Sequence, residues 1–252
     1  KRRLGLAINV GLFVVALGVL RHVLTAYSFS DIVASLHRIG LVYVGASIAL
    51  TVLGYGALVG YDYLSLKIAK HPIAIRRMWS ASFVSHAVQN SSPVSIVAGG
   101  GLRYRLFSRL GVTGAETATV VAGNLLTFVI GLFAVAGVSF IVAPIPIPAM
   151  FHLPIKSLQP VGVVFVALVI GALVLAERGA RTIHVWKLKF QVPKPSLLRE
   201  QLAVSVADWL LSSAALYVLM IAGGPVSYPV FLSGFLLAQI VTQVVPLPGG
   251  IG

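Results

Sequence analysis

The chain has no cysteine and only six acidic residues, Asp31, Asp62, Glu116, Glu177, Glu200 and Asp208. Without thiols, disulfides and thiolate-bound metals are excluded. Charged residues of either sign make up 10% of the 252 residues and hydrophobic ones 58%, more apolar surface than one water-soluble core can bury. The alternating short segments of a membrane β-barrel do not occur. Nor does a cleaved signal peptide: "KRRLGLAINVGLFVVALGVL" starts basic, but its apolar part is long and no small-residue cleavage site follows. A first transmembrane helix is expected there.

What is present is a series of apolar runs, at 4–24, 40–64, 79–101, 115–142, 158–176, 201–222 and 229–252. Crossing a hydrocarbon core of roughly 30 Å takes about 20 helical residues, and these runs have that scale. The expected fold class is all-α, a polytopic integral membrane helix bundle. The chain lacks an initiator Met and stops at "PLPGGIG" with no polar tail, so 1–252 is expected to be one membrane region of a longer protein.

The 19 Lys and Arg give a net charge of +13. They lie in short loops between apolar runs, so topology and contact with anionic lipid account for them, and no nucleic-acid partner is expected for this region. Lys1, Arg2 and Arg3 open the chain, Lys67, Lys70, Arg76 and Arg77 follow the second run, and Arg178, Arg181, Lys187, Lys189, Lys194 and Arg199 precede the sixth. The connections "APIPIPAMFHLPIKSLQP" and "GGPVSYP" carry one lysine between them. Basic loops belong in the cytoplasm, which puts the N-terminus there.

The third run breaks this scheme, because Arg76 and Arg77 stand at its entry and Arg103, Arg105 and Arg109 at its exit. A single crossing cannot satisfy both ends. Its sequence, "SASFVSHAVQNSSPVSIVAGGG", is rich in serine and broken by Pro93, Gly99, Gly100 and Gly101. A re-entrant hairpin that enters and returns on the cytoplasmic side resolves the conflict, provided protein shields its broken backbone. The last run ends similarly, with Gln243, Pro246, Pro248, Gly249 and Gly250. Paired broken segments of opposite orientation mark substrate sites in transporters built from inverted repeats, the alternative being two unrelated Gly/Pro-rich segments.

Several residues are candidates for chemistry. Arg103 and Arg105, beside Tyr104 and the glycines, suit a lipid phosphate, since guanidinium binds phosphate bidentately and glycine lets backbone N–H groups approach an anion. Interfacial anchoring is the alternative, and it is the reading for Arg109. Asp62 next to Tyr61, and Asp208 about eight residues into its apolar run, are carboxylates that need a partner or a wet cavity in a membrane. Glu116, three residues after Thr113, fits a helix cap. His86 and Gln89 stand one turn apart and are expected to face the hairpin interior, with Asn90 beside them. No metal-ligand spacing, nucleotide loop or Ser/His/Asp set is visible, so no metal or cofactor is expected.

"YDYLSLKIAKHPI" (61–73), "NSSPVSIVAGGGLRYRLFSRLGVTG" (90–114) and the terminal "PLPGGIG" together resemble the membrane region of the bacterial lysylphosphatidylglycerol synthase/flippase family, the multiple peptide resistance factors. The resemblance implies a flippase that moves lysyl- or alanyl-phosphatidylglycerol to the outer leaflet and so repels cationic antimicrobial peptides. It also implies a cytoplasmic aminoacyltransferase domain, fed by aminoacyl-tRNA, that lies outside this chain. The headgroup site would draw on Arg103, Arg105, Tyr104, Asp62, Tyr61, Asn90, Gln89, Asp208 and Glu116. Two other classes stay open, a membrane enzyme acting on a lipid phosphate and an ion-coupled transporter of a small anion. Whether the chain forms a homodimer also stays open.

Overall fold

The computed structural model describes residues 39–91, 95–147, 156–179, 182–185, 188–191, 193–220, 224 and 226–244. The apolar run at 4–24 lies outside them, as do Pro93, Pro246, Pro248, Gly249 and Gly250. Seven helices are described: α1 (Leu41–Ile68), α2 (Ile75–Ser91), α3 (Ser95–Ser108), α4 (Gly114–Val142), α5 (Gln159–Glu177), α6 (Pro195–Met220) and α7 (Tyr228–Val244). The expected helical membrane bundle is what forms: α1, α4, α5 and α6 are each long and apolar enough to cross a bilayer, and α7 is a shorter apolar helix. One small addition appears in the basic loop before α6, where β1 (Thr182–Val185) and β2 (Leu188–Gln191) pair as an antiparallel ribbon.

Local chemistry sets the helix limits. Thr113 caps α4: its hydroxyl accepts from the Glu116 N–H at 3.3 Å, and the Glu116 carboxylate accepts from the Thr113 N–H at 2.7 Å. This reciprocal arrangement satisfies donors that the first turn leaves without partners. At the other end of a helix, α3 stops where Gly111 turns to φ 87° and the Val112 N–H reaches back to the Phe107 carbonyl at 3.1 Å. A left-handed residue closing the last turn is the usual stop, and glycine adopts it without strain.

The third apolar run does fold back on itself. Arg103 reaches His86 and Gln89, and Phe107 and Leu106 share an apolar cluster with Met78 and Ala81. Residues pair about a centre near 94, so α2 and α3 are the two limbs of a hairpin. That cluster also holds Leu66 and Ile73, and Val112 and Val120 complete it, so the hairpin is fastened to the end of α1 and the start of α4.

Helices α1 and α6 run antiparallel, with Ser47 bonded to the Ala215 carbonyl at one end and Lys67 to Glu200 at the other. Small residues let the helices approach. A Cβ on Gly131 of α4 would overlap Ser205 of α6, and one on Gly123 would come within 2.6 Å of the Ser65 hydroxyl of α1. Close backbone approach through small residues is how membrane helices gain packing when lipid supplies no hydrophobic drive. Trp209, Phe140 and Leu236 centre a second apolar cluster that joins α4, α6 and α7. The ends of α1 and α5 and the starts of α4 and α6 gather at one end of the bundle, tied by Lys67–Glu200, His71–Glu116 and Arg199–Glu177. Exposed Lys70, Arg76, Arg77, Arg105, Arg109, Arg178 and Lys194 lie in the loops and helix ends of that same end.

Candidate functional site

Hydropathy alone gives little reason for Asp62, near the end of an apolar helix, to be fully buried, yet it is. The reason lies in what surrounds it. From α2, the Ser82 hydroxyl donates to Oδ2 at 2.6 Å and His86 Nε2 stands 3.2 Å from the same oxygen. From α4, Asn124 Nδ2 donates to Oδ1 at 2.6 Å, while its own carbonyl accepts from Ser65 at 2.7 Å. From α3, Arg103 brings Nε to 3.3 Å from Oδ1, one terminal nitrogen to 3.1 Å from His86 Nε2, and the other to 3.4 Å from the Gln89 carbonyl. Four helices therefore contribute to one buried charged cluster. Arg103 Nε is buried without a well-aligned acceptor, so the guanidinium keeps an unused donor.

A second polar group adjoins it along α1. Tyr61 donates to Asp208 Oδ2 at 2.9 Å across the α1–α6 interface. Below Asp208 on the same face of α6 come Ser205 and Gln201, both fully buried, and Gln201 Nε2 donates to Thr127 at 2.7 Å. The charged core thus begins about one and a half helical turns inside the basic end, five residues from Lys67 to Asp62 at 1.5 Å of rise each.

The candidate residues separate into groups. Asp62, Arg103 and Gln89 meet, with His86 facing the hairpin interior as its spacing implies. Tyr61 and Asp208 meet beside them. Glu116 sits apart as the cap of α4, paired with His71 at 3.1 Å. Tyr104 and Arg105 are exposed on α3, and so is Asn90 on α2. Gly99, Gly100 and Gly101 are helical within α3. Six participants were not singled out in the sequence: Ser65, Ser82, Asn124, Thr127, Gln201 and Ser205. Asn124 carried a readable signal, a lone amide in the middle of an apolar helix, which demands a partner in a membrane. Ser82 and Ser205 carried none, because a serine can return its bond to its own helix.

Among the described residues no set of three His, Cys, Asp or Glu side chains could hold a metal ion. The cluster is instead a charge-compensated polar core in an apolar bundle, able to hold an anion at Arg103 or a cation at Asp62 if its internal pairing opens.

No family model matches the chain. It is 28% identical over 223 residues to the "Inner membrane protein YbhN" of Escherichia coli (strain K12), covering 87% of this chain and 66% of that protein. It is 32% identical over 249 residues to a Synechocystis protein named "Uncharacterized protein slr0712", covering 98% of this chain and 76% of that one. With spanning helices and an inner membrane relative, the chain is a multi-pass inner membrane protein, and it belongs to the family of the Synechocystis protein slr0712.

Proposed function

We propose that the chain translocates a phospholipid whose headgroup carries both a phosphate and an ammonium, aminoacyl-phosphatidylglycerol being the member to which the resemblance in residues 61–114 points. The observation that carries the reading is the buried Asp62–Arg103 pair, held between a helical hairpin and two long helices. Removing two charges from water costs several kcal/mol per ion, and membrane bundles keep such pairs where something charged must pass. A headgroup of both signs can exchange partners with the pair: its phosphate takes Arg103, whose Nε is an unused donor, and its ammonium takes Asp62. At no stage is a charge left alone, so the cost of crossing stays low. Arg105 and Tyr104, exposed on the same helix, meet the lipid phosphate as it arrives. The basic end is cytoplasmic by the positive-inside rule, the hairpin is re-entrant from that side, and transport runs from the inner to the outer leaflet.

The test uses the full chain in phosphatidylglycerol vesicles carrying lysyl-phosphatidylglycerol, with outer-leaflet amines read by an impermeant amine reagent. Arg103→Ala and Asp62→Ala lower the rate of exposure at least about tenfold, corresponding to ~1.4 kcal/mol. Exposure unchanged in both variants overturns the site. Vesicles in which the unaltered protein moves no lipid overturn the function.

A further inference from the structure

Asp208 is not used by the exchange just described, and its surroundings differ from those of Asp62. It is buried, and its neighbours are neutral: the Tyr61 hydroxyl at 2.9 Å and Ser212 one turn along α6. No Lys or Arg among the described residues pairs with it. The charged or titratable groups nearest it are Tyr61 on α1 and His86 on α2, with Asp62 next to Tyr61 in the chain and Arg103 of α3 engaged by Asp62. Alongside, α4 sets Asn124 against Asp62, Thr127 against Gln201 and Gly131 against Ser205, none of them charged, and the Tyr228 hydroxyl of α7 bonds Ser213 and the Leu210 carbonyl.

A second observation is independent of the carboxylate. Ser205 Oγ and Gln201 Oε1 are fully buried and have no hydrogen-bond partner. Buried oxygens of this kind are satisfied in proteins by ordered water. Positions 201, 205 and 208 follow one face of α6, at rises of about 6 and 4.5 Å. They form a polar stripe from Asp208 toward the basic end, where Glu200 and Lys67 meet solvent.

From these we propose that Asp208 is a proton-binding site, and that a proton passing through it along the Ser205–Gln201 stripe drives the transport assigned above to the Asp62–Arg103 pair. The driving role rests on that reading; the protonation does not. The step is one proton transfer: a proton from the outer aqueous side joins an Asp208 carboxylate oxygen and leaves through the stripe to the basic end, with no electron moved. Protonation turns Asp208 from a pure acceptor into a donor, which releases or reverses its bond with Tyr61. Tyr61 adjoins Asp62 on α1, so the change is passed directly to the pair that meets the headgroup. A proton moving inward opposes a lipid moving outward, and the gradient of a bacterial inner membrane supplies the direction.

Two measurements on the full chain in vesicles decide the matter. Infrared difference spectroscopy across a pH titration shows a protonated-carboxyl band that Asp208→Asn removes and Asp208→Glu restores. In the lysyl-phosphatidylglycerol assay, an inward proton gradient changes outer-leaflet accumulation by about fivefold or more, the lower end of ordinary coupling between two sites, and Asp208→Asn abolishes that response. If the band is absent or survives in Asp208→Asn, the proton site is overturned whether or not lipid moves. If the band behaves as stated and lipid moves without regard to the proton gradient, or in response to a sodium gradient, the coupling is overturned. If the band behaves as stated but no lipid moves, the proton site stands and the lipid reading fails.

Discussion

The molecule makes ion pairs in two regions with opposite logic. At the basic end, Lys67–Glu200 and Arg199–Glu177 join helix termini with side chains one third to two thirds exposed. About one and a half turns inside, Asp62, Arg103 and His86 use the same chemistry almost fully buried. The outer pairs keep their water and are screened by salt, so each fastens a helix end weakly. The inner group has lost its water and depends on every partner it has, which is why four helices supply them. Identical residue types therefore mean attachment in one place and, in our reading, substrate exchange in the other.

Arg103→Ala breaks this contrast most severely. It leaves the Asp62 carboxylate buried with Ser82, Asn124 and His86 as its remaining partners. Removing one member of a buried pair costs about 3–5 kcal/mol. A thermal melt in detergent shows the loss. Replacing both members, Asp62→Leu with Arg103→Leu, recovers most of that stability, since apolar pairs of similar volume substitute well for buried ions. The double variant stays inactive in lipid exposure, which separates the structural from the transport role of the pair. Recovery of transport along with stability would show that the charges serve folding alone.

A middle-sized effect comes from the helix contacts that keep the core in register. Gly131→Ala puts a methyl where Ser205 already lies, so α4 and α6 must separate. Overpacking of this kind costs about 1–3 kcal/mol. Gly234→Ala, with nothing near its added Cβ, leaves the melting temperature unchanged or raises it. Equal melting of the two variants would mean that small residues do not set the α4–α6 approach.

Much of this architecture was legible in the sequence, for a definite reason. Long apolar runs report their burial in lipid directly, so α1, α4, α5, α6 and α7 fall where hydropathy puts them. The hairpin was legible from a contradiction, two basic ends on one short run, and the Thr113–Glu116 cap from its spacing. The composition of the core was only half legible. Asp62 and Arg103 stood out because charge is rare here. Asn124 was readable as a lone amide in an apolar helix, but Ser82, Ser205 and Gln201 were not, because which polar side chains turn inward depends on helix rotation. Arg105 shows the same limit in reverse. Two residues from Arg103 on a helix, it points elsewhere, because 100° per residue separates their faces by about 200°.

The smallest effect tests the outer region. Glu200→Gln removes the partner of Lys67, whose ammonium then keeps water and the Tyr63 ring, 4.5 Å from its nitrogen. Exposed pairs typically contribute about 0.2–1 kcal/mol, so the melt shifts little, and less again as salt is added. The lipid-exposure rate stays the same, because nothing at Glu200 reaches the Asp62 cluster five residues inside from Lys67. A large, salt-insensitive loss in Glu200→Gln would erase the distinction between the two regions and make the basic end part of the same coupled network as the core.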